Sequence, residues 1–188
     1  MKKLYIKISK FLSYILRHHP EKFNLILDSE GYTELPLVLE ILNKKFYYLK
    51  KEIIKRTIFD IIKTSDKKRF EIKENRIRAY YGHSITTRIK IAEAISLPPI
   101  LYHGTTVKAY NKIKIEGLNK GKRQFVHLSE KIETAIQVGK RRSKSPIILE
   151  INAKTAQKEG VEFYKSGDMY LAEYIPPNYI SYLNEKYK

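Results

Sequence analysis

The chain has 188 residues, 43% of them hydrophobic and 30% charged, and a formal net charge of +17. This length suits one large domain or two small ones, and the composition suits a globular fold. The absence of cysteine excludes disulfides, thiolate metal sites and a cysteine nucleophile.

No two of the five histidines have the i, i+4 spacing of an H-E-x-x-H site, so no metal is expected. No apolar run approaches the ~18 residues a membrane helix needs. Lys7 and Lys10 interrupt the apolar stretch behind the basic start, so no targeting segment is read and a cytoplasmic location is expected. A charge surplus of this size points to a polyanionic partner, although part of it is lysine serving as the default surface residue. Charge alone does not separate RNA, DNA and anionic lipid.

In chain order, Ile8, Phe11, Leu12, Ile15 and Leu16 form the stripe of an amphipathic helix over residues 9–16. Pro20 ends that helix, and Arg17, His18 and His19 fall on its last turn, where cations are favoured. Gly31 and Tyr32 mark a turn. A second helix is predicted from Pro36 through Leu42, and a third over 49–62 with Ile53, Ile54, Ile58, Ile61 and Ile62 inward. Two short strands, Phe70-Glu71-Ile72 and residues 77–81, make a hairpin across Glu74-Asn75. Three helices followed by a hairpin is the order of a winged helix. The half ends near Leu97-Pro98-Pro99, the clearest linker signal.

The second half predicts strands over 100–103, 124–128 and 146–152, and helices over 107–116 and 131–139, the first closed by Gly117. Phe163, residues 169–174 and residues 179–182 supply further strands. The whole reads as α+β, with domains over 1–95 and 99–188.

The histidines stand in polar company: Leu16-Arg17-His18-His19-Pro20, Tyr81-Gly82-His83-Ser84, Tyr102-His103-Gly104-Thr105-Thr106 and Val126-His127-Leu128-Ser129. Any one of them reads most simply as a strand-end histidine bonded to backbone, but the set weakens that reading. Arginine is scarce beside lysine, and a lysine-biased chain keeps it where a bidentate fork is useful, as on phosphate. Arg17, Arg78 and Arg123 each lie near one of these histidines, whereas Arg69, Arg76 and Arg88 read as basic surface and Arg141 and Arg142 stay ambiguous.

These strings, together with Ser9-Lys10-Phe11-Leu12-Ser13-Tyr14-Ile15, Lys67-Lys68-Arg69-Phe70, Ile77-Arg78-Ala79 and Val138-Gly139-Lys140-Arg141, resemble in order the motifs of the RNA 2′-phosphotransferases of the KptA type. The resemblance runs through to Ile175-Pro176-Pro177 and covers nearly the whole chain. It implies an N-terminal winged-helix lobe followed by a C-terminal ADP-ribosyltransferase-like lobe. It implies RNA bearing a 2′-phosphate, such as a tRNA splice junction, as substrate and NAD as co-substrate; a monomer is expected. In the implied reaction the RNA phosphate attacks the NAD ribose and expels nicotinamide, then a ribose hydroxyl attacks phosphorus and frees the RNA 2′-OH with ADP-ribose cyclic phosphate.

The resemblance assigns Arg17, His18, Arg78 and Arg123 to the phosphate chemistry and His103, Gly104, Thr105, His127 and Ser129 to NAD. Guanidinium groups can hold a dianion through both steps without a metal, and a histidine near neutral pKa can donate to the leaving RNA oxygen. Gly104 is expected to let backbone approach the nicotinamide amide. Because the residues come from both halves, the implied reaction needs both. Two departures stand out: Tyr81 where the family usually has glutamine, and Asp168-Met169-Tyr170-Leu171 where Val-Trp-Leu is common. One rival is an ADP-ribosyltransferase acting on a protein or a nucleic-acid end, for which Glu150, Glu162 or Glu173 could orient the acceptor. The other is a non-catalytic nucleic-acid binder, which leaves the second-half strings unexplained.

Overall fold

The computed structural model describes residues 2–49, 53–65 and 67–183. The chain divides into two compact units, Met1–Lys90 and Ile91–Lys188. The architecture is α+β, with three α-helices in each unit among the described residues.

In the first unit, α1 (Lys2–Arg17) buries Ile8, Leu12, Ile15 and Leu16 completely. Each such side chain removed from water contributes roughly 1.5–3 kcal/mol. The helix begins well before the predicted residue 9, because Leu4 and Tyr5 also pack against this core. A 3₁₀ turn, Pro20–Phe23, opens on its proline. Then come β1 (Tyr32–Glu34), α2 (Leu35–Lys45), a 3₁₀ turn (Tyr47–Leu49) and α3 (Lys55–Lys63).

The predicted third helix over 49–62 is therefore shorter. Part of the difference lies at Lys50–Glu52, outside the described residues. The physical reason is legible at Ile53, whose N–H donates to Asn43 Oδ1 (2.7 Å) while its carbonyl accepts from Asn43 Nδ2 (3.0 Å). An amide side chain that takes both backbone groups leaves them nothing to give a helix. Ile53 is still buried, but Ile54 is half exposed instead of facing the core.

The hairpin strands are β2 (Phe70–Lys73) and β3 (Arg76–Ala79). They join β1 in an antiparallel sheet of order β1-β3-β2, so β3 is central. In this register Tyr32 and Glu71 both stand opposite Arg78, one on each side. β1 was not expected from the sequence, which shows only a turn at Gly31.

The second unit begins at Ile91, ahead of Leu97-Pro98-Pro99. Ala94 and Leu97 are buried in its core, and the Pro99 carbonyl accepts from the Ala153 N–H (3.0 Å). The prolines thus belong to the second unit's own packing. Its strands are β4 (Ile100–Thr105), β5 (Leu118–Asn119), β6 (Val126–Ser129), β7 (Ile147–Asn152), β8 (Tyr164–Ser166), β9 (Met169–Ala172), β10 (Tyr174–Ile175) and β11 (Ile180–Tyr182). Six of them form one antiparallel sheet of order β11-β7-β4-β6-β9-β8, and β5 pairs with β10.

The helices are α4 (Val107–Glu116), α5 (Ile132–Gly139) and α6 (Ala153–Lys158). Thr106 caps α4 by accepting from the Ala109 N–H, and Gly117 (φ 75°) ends it in the left-handed region. α6 goes unpredicted because Asn152 closes β7 and at once caps the next helix, through the Thr155 N–H. Among the described residues no helix is long and apolar enough to cross a membrane.

Candidate functional site

The first unit gathers Arg17, His18, Arg78 and His83. Arg17 is the last residue of α1, and the N–H groups of His18 and His19 both donate to the Tyr14 carbonyl (3.2 and 3.0 Å). The loop after β3 comes back to this helix end. The Ser84 N–H donates to the Arg17 carbonyl (2.9 Å), and Ser84 Oγ bonds His18 Nδ1 (2.8 Å). The backbone of Ser84 thus ties the loop to the helix end, and its hydroxyl holds the His18 ring.

The Arg17 guanidinium lies 5.1 Å from the Tyr81 ring centroid and 5.5 Å from that of Phe70, and donates to the Arg69 carbonyl at 3.4 Å. Tyr81, the departure noted in the sequence, is thus a buried aromatic face beneath a candidate cation. Gly82 has φ 92°, where an L side chain is strained, and a Cβ there would lie 3.4 Å from Arg17 Nη1. The glycine serves both the turn and the passage of the arginine.

Arg78 is held by residues on both flanking strands. Its Nε donates to Glu71 Oε2 (2.7 Å), its Nη2 pairs with the same oxygen (2.7 Å), and its Nη1 donates to the Glu30 carbonyl (3.2 Å). Its guanidinium carbon lies 4.5 Å from the Tyr32 ring centroid, and the Tyr32 hydroxyl donates to Glu71 Oε2 (2.6 Å). Burial, helped by the bond to Glu71, pushes the Tyr32 hydroxyl pKa up to about 12. Burial works to raise the Glu71 carboxyl, but the bonds from Tyr32 and Arg78 outweigh it and hold the group below its ordinary value.

His83 is only 3% exposed. Burial holds its pKa down at about 4, and the charges of Arg17, His18 and Arg78 act in the same direction. Its Nε2 faces the space a side chain at Gly31 would fill, beside Ile89, and has no hydrogen-bond partner among the described residues.

In the second unit the two histidine strings lie on adjacent strands, β4 and β6, paired at Tyr102 and Ser129. His103 Nδ1 donates to the His127 carbonyl (3.0 Å), and the Arg123 Nη1 lies 3.4 Å from His127 Nδ1. Burial lowers the His103 pKa against that bond, and the Arg123 and Arg142 charges lower it further. Its imidazole is therefore neutral at ordinary pH, with the proton on Nδ1. Ser129 is buried and donates to the Lys131 carbonyl (3.1 Å), and Thr105 is buried as well.

Gly104 has a packing reason of its own. A Cβ there would come within 2.0 Å of the Ala135 carbonyl oxygen on α5. The side-chain space at Gly104 is occupied by a helix backbone, so glycine is required here before any ligand is considered.

Sequence reasoning brought out Arg17, His18, Arg78, Arg123, His103 and His127, and the structure places the first three in one network and the last three in another. It missed Glu71, Tyr32 and Ser84 as their holders. Glu71 carries a signal in hindsight: one acidic residue beside Phe70 amid basic neighbours. Of the glutamates weighed for an acceptor role, Glu162 accepts from Tyr164 and Glu173 pairs with Lys120. Both also line a small pocket with Tyr174 and Pro176 that includes none of the candidate residues. Among the described residues no group of three metal-ligating side chains is gathered.

Comparison with known proteins bears on the whole chain. The model of the RNA 2′-phosphotransferase, Tpt1 / KptA family matches residues 3–173. The chain is 44% identical over 179 residues to a probable RNA 2′-phosphotransferase of Acetivibrio thermocellus, covering 95% of this chain and 97% of that protein. It is 44% identical over 180 residues to one of Bacillus thuringiensis subsp. konkukian (95% and 96% covered). It is 39% identical over 178 residues to probable RNA 2′-phosphotransferase 2 of Archaeoglobus fulgidus (95% and 80% covered). A match of that extent settles the family: this chain belongs to the RNA 2′-phosphotransferases of the Tpt1/KptA family.

Proposed function

We propose that the protein is an NAD-dependent RNA 2′-phosphotransferase that removes an internal 2′-phosphate from RNA, such as one left at a tRNA splice junction, and leaves a 2′-OH. The observation that carries this reading is the first unit's network. Two arginines and a histidine come from a helix end and a central strand, are fixed by neighbouring side chains, and surround a histidine that burial keeps neutral. Fixed guanidinium groups in a partly dry setting suit a phosphate dianion that must first attack and then be attacked. The family match supports the same chemistry.

The first unit is read as a winged-helix lobe and the second as an ADP-ribosyltransferase-like lobe. In this reading Arg17 and Arg78 grip the phosphate, His18 hydrogen-bonds it or donates to the departing RNA oxygen, and Arg123 adds positive charge in the second unit. NAD supplies the ribosyl carbon that accepts the phosphate and the nicotinamide that leaves. The second unit fits such a molecule. His103 is neutral with Nδ1 committed to backbone, and an imidazole in that state can accept a hydrogen bond from a ribose hydroxyl without adding charge. His127, Gly104, Thr105 and Ser129 complete the proposed NAD-binding set. Ser129 and Gly104 act through the strand geometry they fix. Both units then serve one reaction, so neither should be active when expressed alone. The protein is expected to act as a cytoplasmic monomer.

The test is to incubate the protein with NAD and a 2′-phosphorylated oligoribonucleotide. The expected result is loss of the 2′-phosphate with one nicotinamide released per phosphate, and none with an unphosphorylated control RNA. Nicotinamide release that is indifferent to the 2′-phosphate would favour the ADP-ribosyltransferase reading.

A further inference from the structure

Arg78 stands in the middle of the three-stranded sheet, with Tyr32 directly opposite on one side and Glu71 directly opposite on the other. The three side chains close a ring. Glu71 Oε2 receives Nε and Nη2 of Arg78 at 2.7 Å each and the Tyr32 hydroxyl at 2.6 Å, while the Tyr32 ring carries the guanidinium at 4.5 Å. The Tyr80 hydroxyl adds a further bond to Glu71, and the Tyr80 ring lies 5.4 Å from the Arg78 guanidinium carbon. Tyr32 is 4% exposed, so the ring under Arg78 has little freedom of its own.

A guanidinium has five N–H donors. In Arg78 the side-on pair is taken by Glu71 and one Nη1 hydrogen by the Glu30 carbonyl. Among the described residues two donors remain, one on each terminal nitrogen. An arginine on a basic surface would not need so complete a cage: a carboxylate beside it weakens its hold on anions. The arrangement makes sense where orientation matters more than charge, because a pre-set fork loses less freedom when its ligand arrives.

We propose that Glu71 and Tyr32 are positioning residues for the phosphotransfer: they lock the Arg78 guanidinium side-on, so that its two remaining N–H groups meet the phosphate in a single orientation. This inference rests on the phosphotransferase reading above for its consequence in rate, but not for the clamp itself.

The experiment compares wild type with Glu71→Gln, Tyr32→Phe, Arg78→Ala and the Glu71→Gln/Arg78→Ala double variant, in turnover and in the NMR signals of arginine side-chain nitrogens. Glu71→Gln should lower kcat roughly 10- to 100-fold, as loss of orientation does. It should leave KM for RNA unchanged or lower, because the site becomes more positive by one charge. A merely structural role would raise KM along with the fall in kcat. Tyr32→Phe should cost about 3-fold, the size of one hydrogen bond. In the Arg78→Ala background Glu71→Gln should cost nothing further. In the wild type the Arg78 terminal nitrogens should give separate, slowly rotating signals that merge in Glu71→Gln. Wild-type kcat in Glu71→Gln, an equal loss in the Arg78→Ala background, or freely rotating Arg78 in the wild type would each overturn the proposal. A wild type that leaves RNA phosphorylated while its Arg78 is rotationally locked would overturn the function and leave the clamp standing.

Discussion

The two units hold their candidate residues by different means. The first carries 21 lysines and arginines against 10 acidic residues, and six of the nine arginines; the second carries 16 against 10. In the first, side chains do most of the holding, beside the Arg69 and Glu30 carbonyls: rings under Arg17, a carboxylate and a phenol around Arg78, a hydroxyl on His18. In the second, apart from the Arg123–His127 contact, backbone holds them: the His127 carbonyl takes His103, the Lys131 carbonyl takes Ser129, and α5 fills the space beside Gly104. Under the proposed function the first arrangement would aim charges at a mobile dianion through partners that can be tuned singly. The second would give the nicotinamide ring, cationic in NAD, and its ribose walls set by strands, which change only when the sheet does.

The comparison can be broken first at the cations. Replacing Arg17, His18, Arg78 or Arg123 by alanine should lower the rate of dephosphorylation about 100-fold or more, since a lost transition-state contact costs ~3 kcal/mol. The cooperative unfolding transition should be kept, because none of the four is part of either core. Near wild-type turnover in any one would remove it from the site.

Gly104→Ala attacks the other kind of support. Its Cβ has no room against α5, so the variant should lose about 1–3 kcal/mol in urea unfolding. Amide exchange should rise in β4 and α5 while the amides of α1 and β3 stay protected. Loosening of the first unit instead would contradict the contrast drawn here.

The pH dependence sharpens it next. His83 goes from an ordinary pKa of 6.5 in the unfolded chain to about 4 in the fold. The unfolded state therefore binds its proton first as pH falls, so the contribution is fully present above 6.5 and is lost between 6.5 and 4. Stability should drop by up to about 3 kcal/mol over that window from this group. His103, also lowered, adds in the same sense. Denaturant melts at pH 7 and pH 4.5 check this, and His83→Gln should flatten the part that belongs to the first unit. A small effect is expected from Tyr81→Leu, which keeps an apolar contact but removes the aromatic face beneath Arg17. A cation–π contact of ~1 kcal/mol corresponds to about a 5-fold loss of rate.

Much of the fold was legible because periodicity reports burial. The α1 stripe, the hairpin, Gly117 and the apolar run of β7 could all be read from residue spacing. The failures are places where a side chain overrules local propensity. Asn43 captures both backbone groups of Ile53 and shortens the third helix, and Asn152 starts α6 where a strand had just ended. β1 is three residues long and exists by pairing with β3, which no local pattern encodes. The candidate histidines and arginines stood out by company and scarcity. Their holders did not, because Tyr32 and Glu71 become neighbours of Arg78 only through strand register.

The measurement closest to the central claim follows the phosphorus. With the RNA 2′-phosphate labelled with ³²P and NAD in excess, the label should leave the RNA and appear in an ADP-ribose cyclic phosphate, with the RNA strand intact and its 2′-OH free. Label recovered as inorganic phosphate without nicotinamide release, or label that stays on the RNA, would contradict the account.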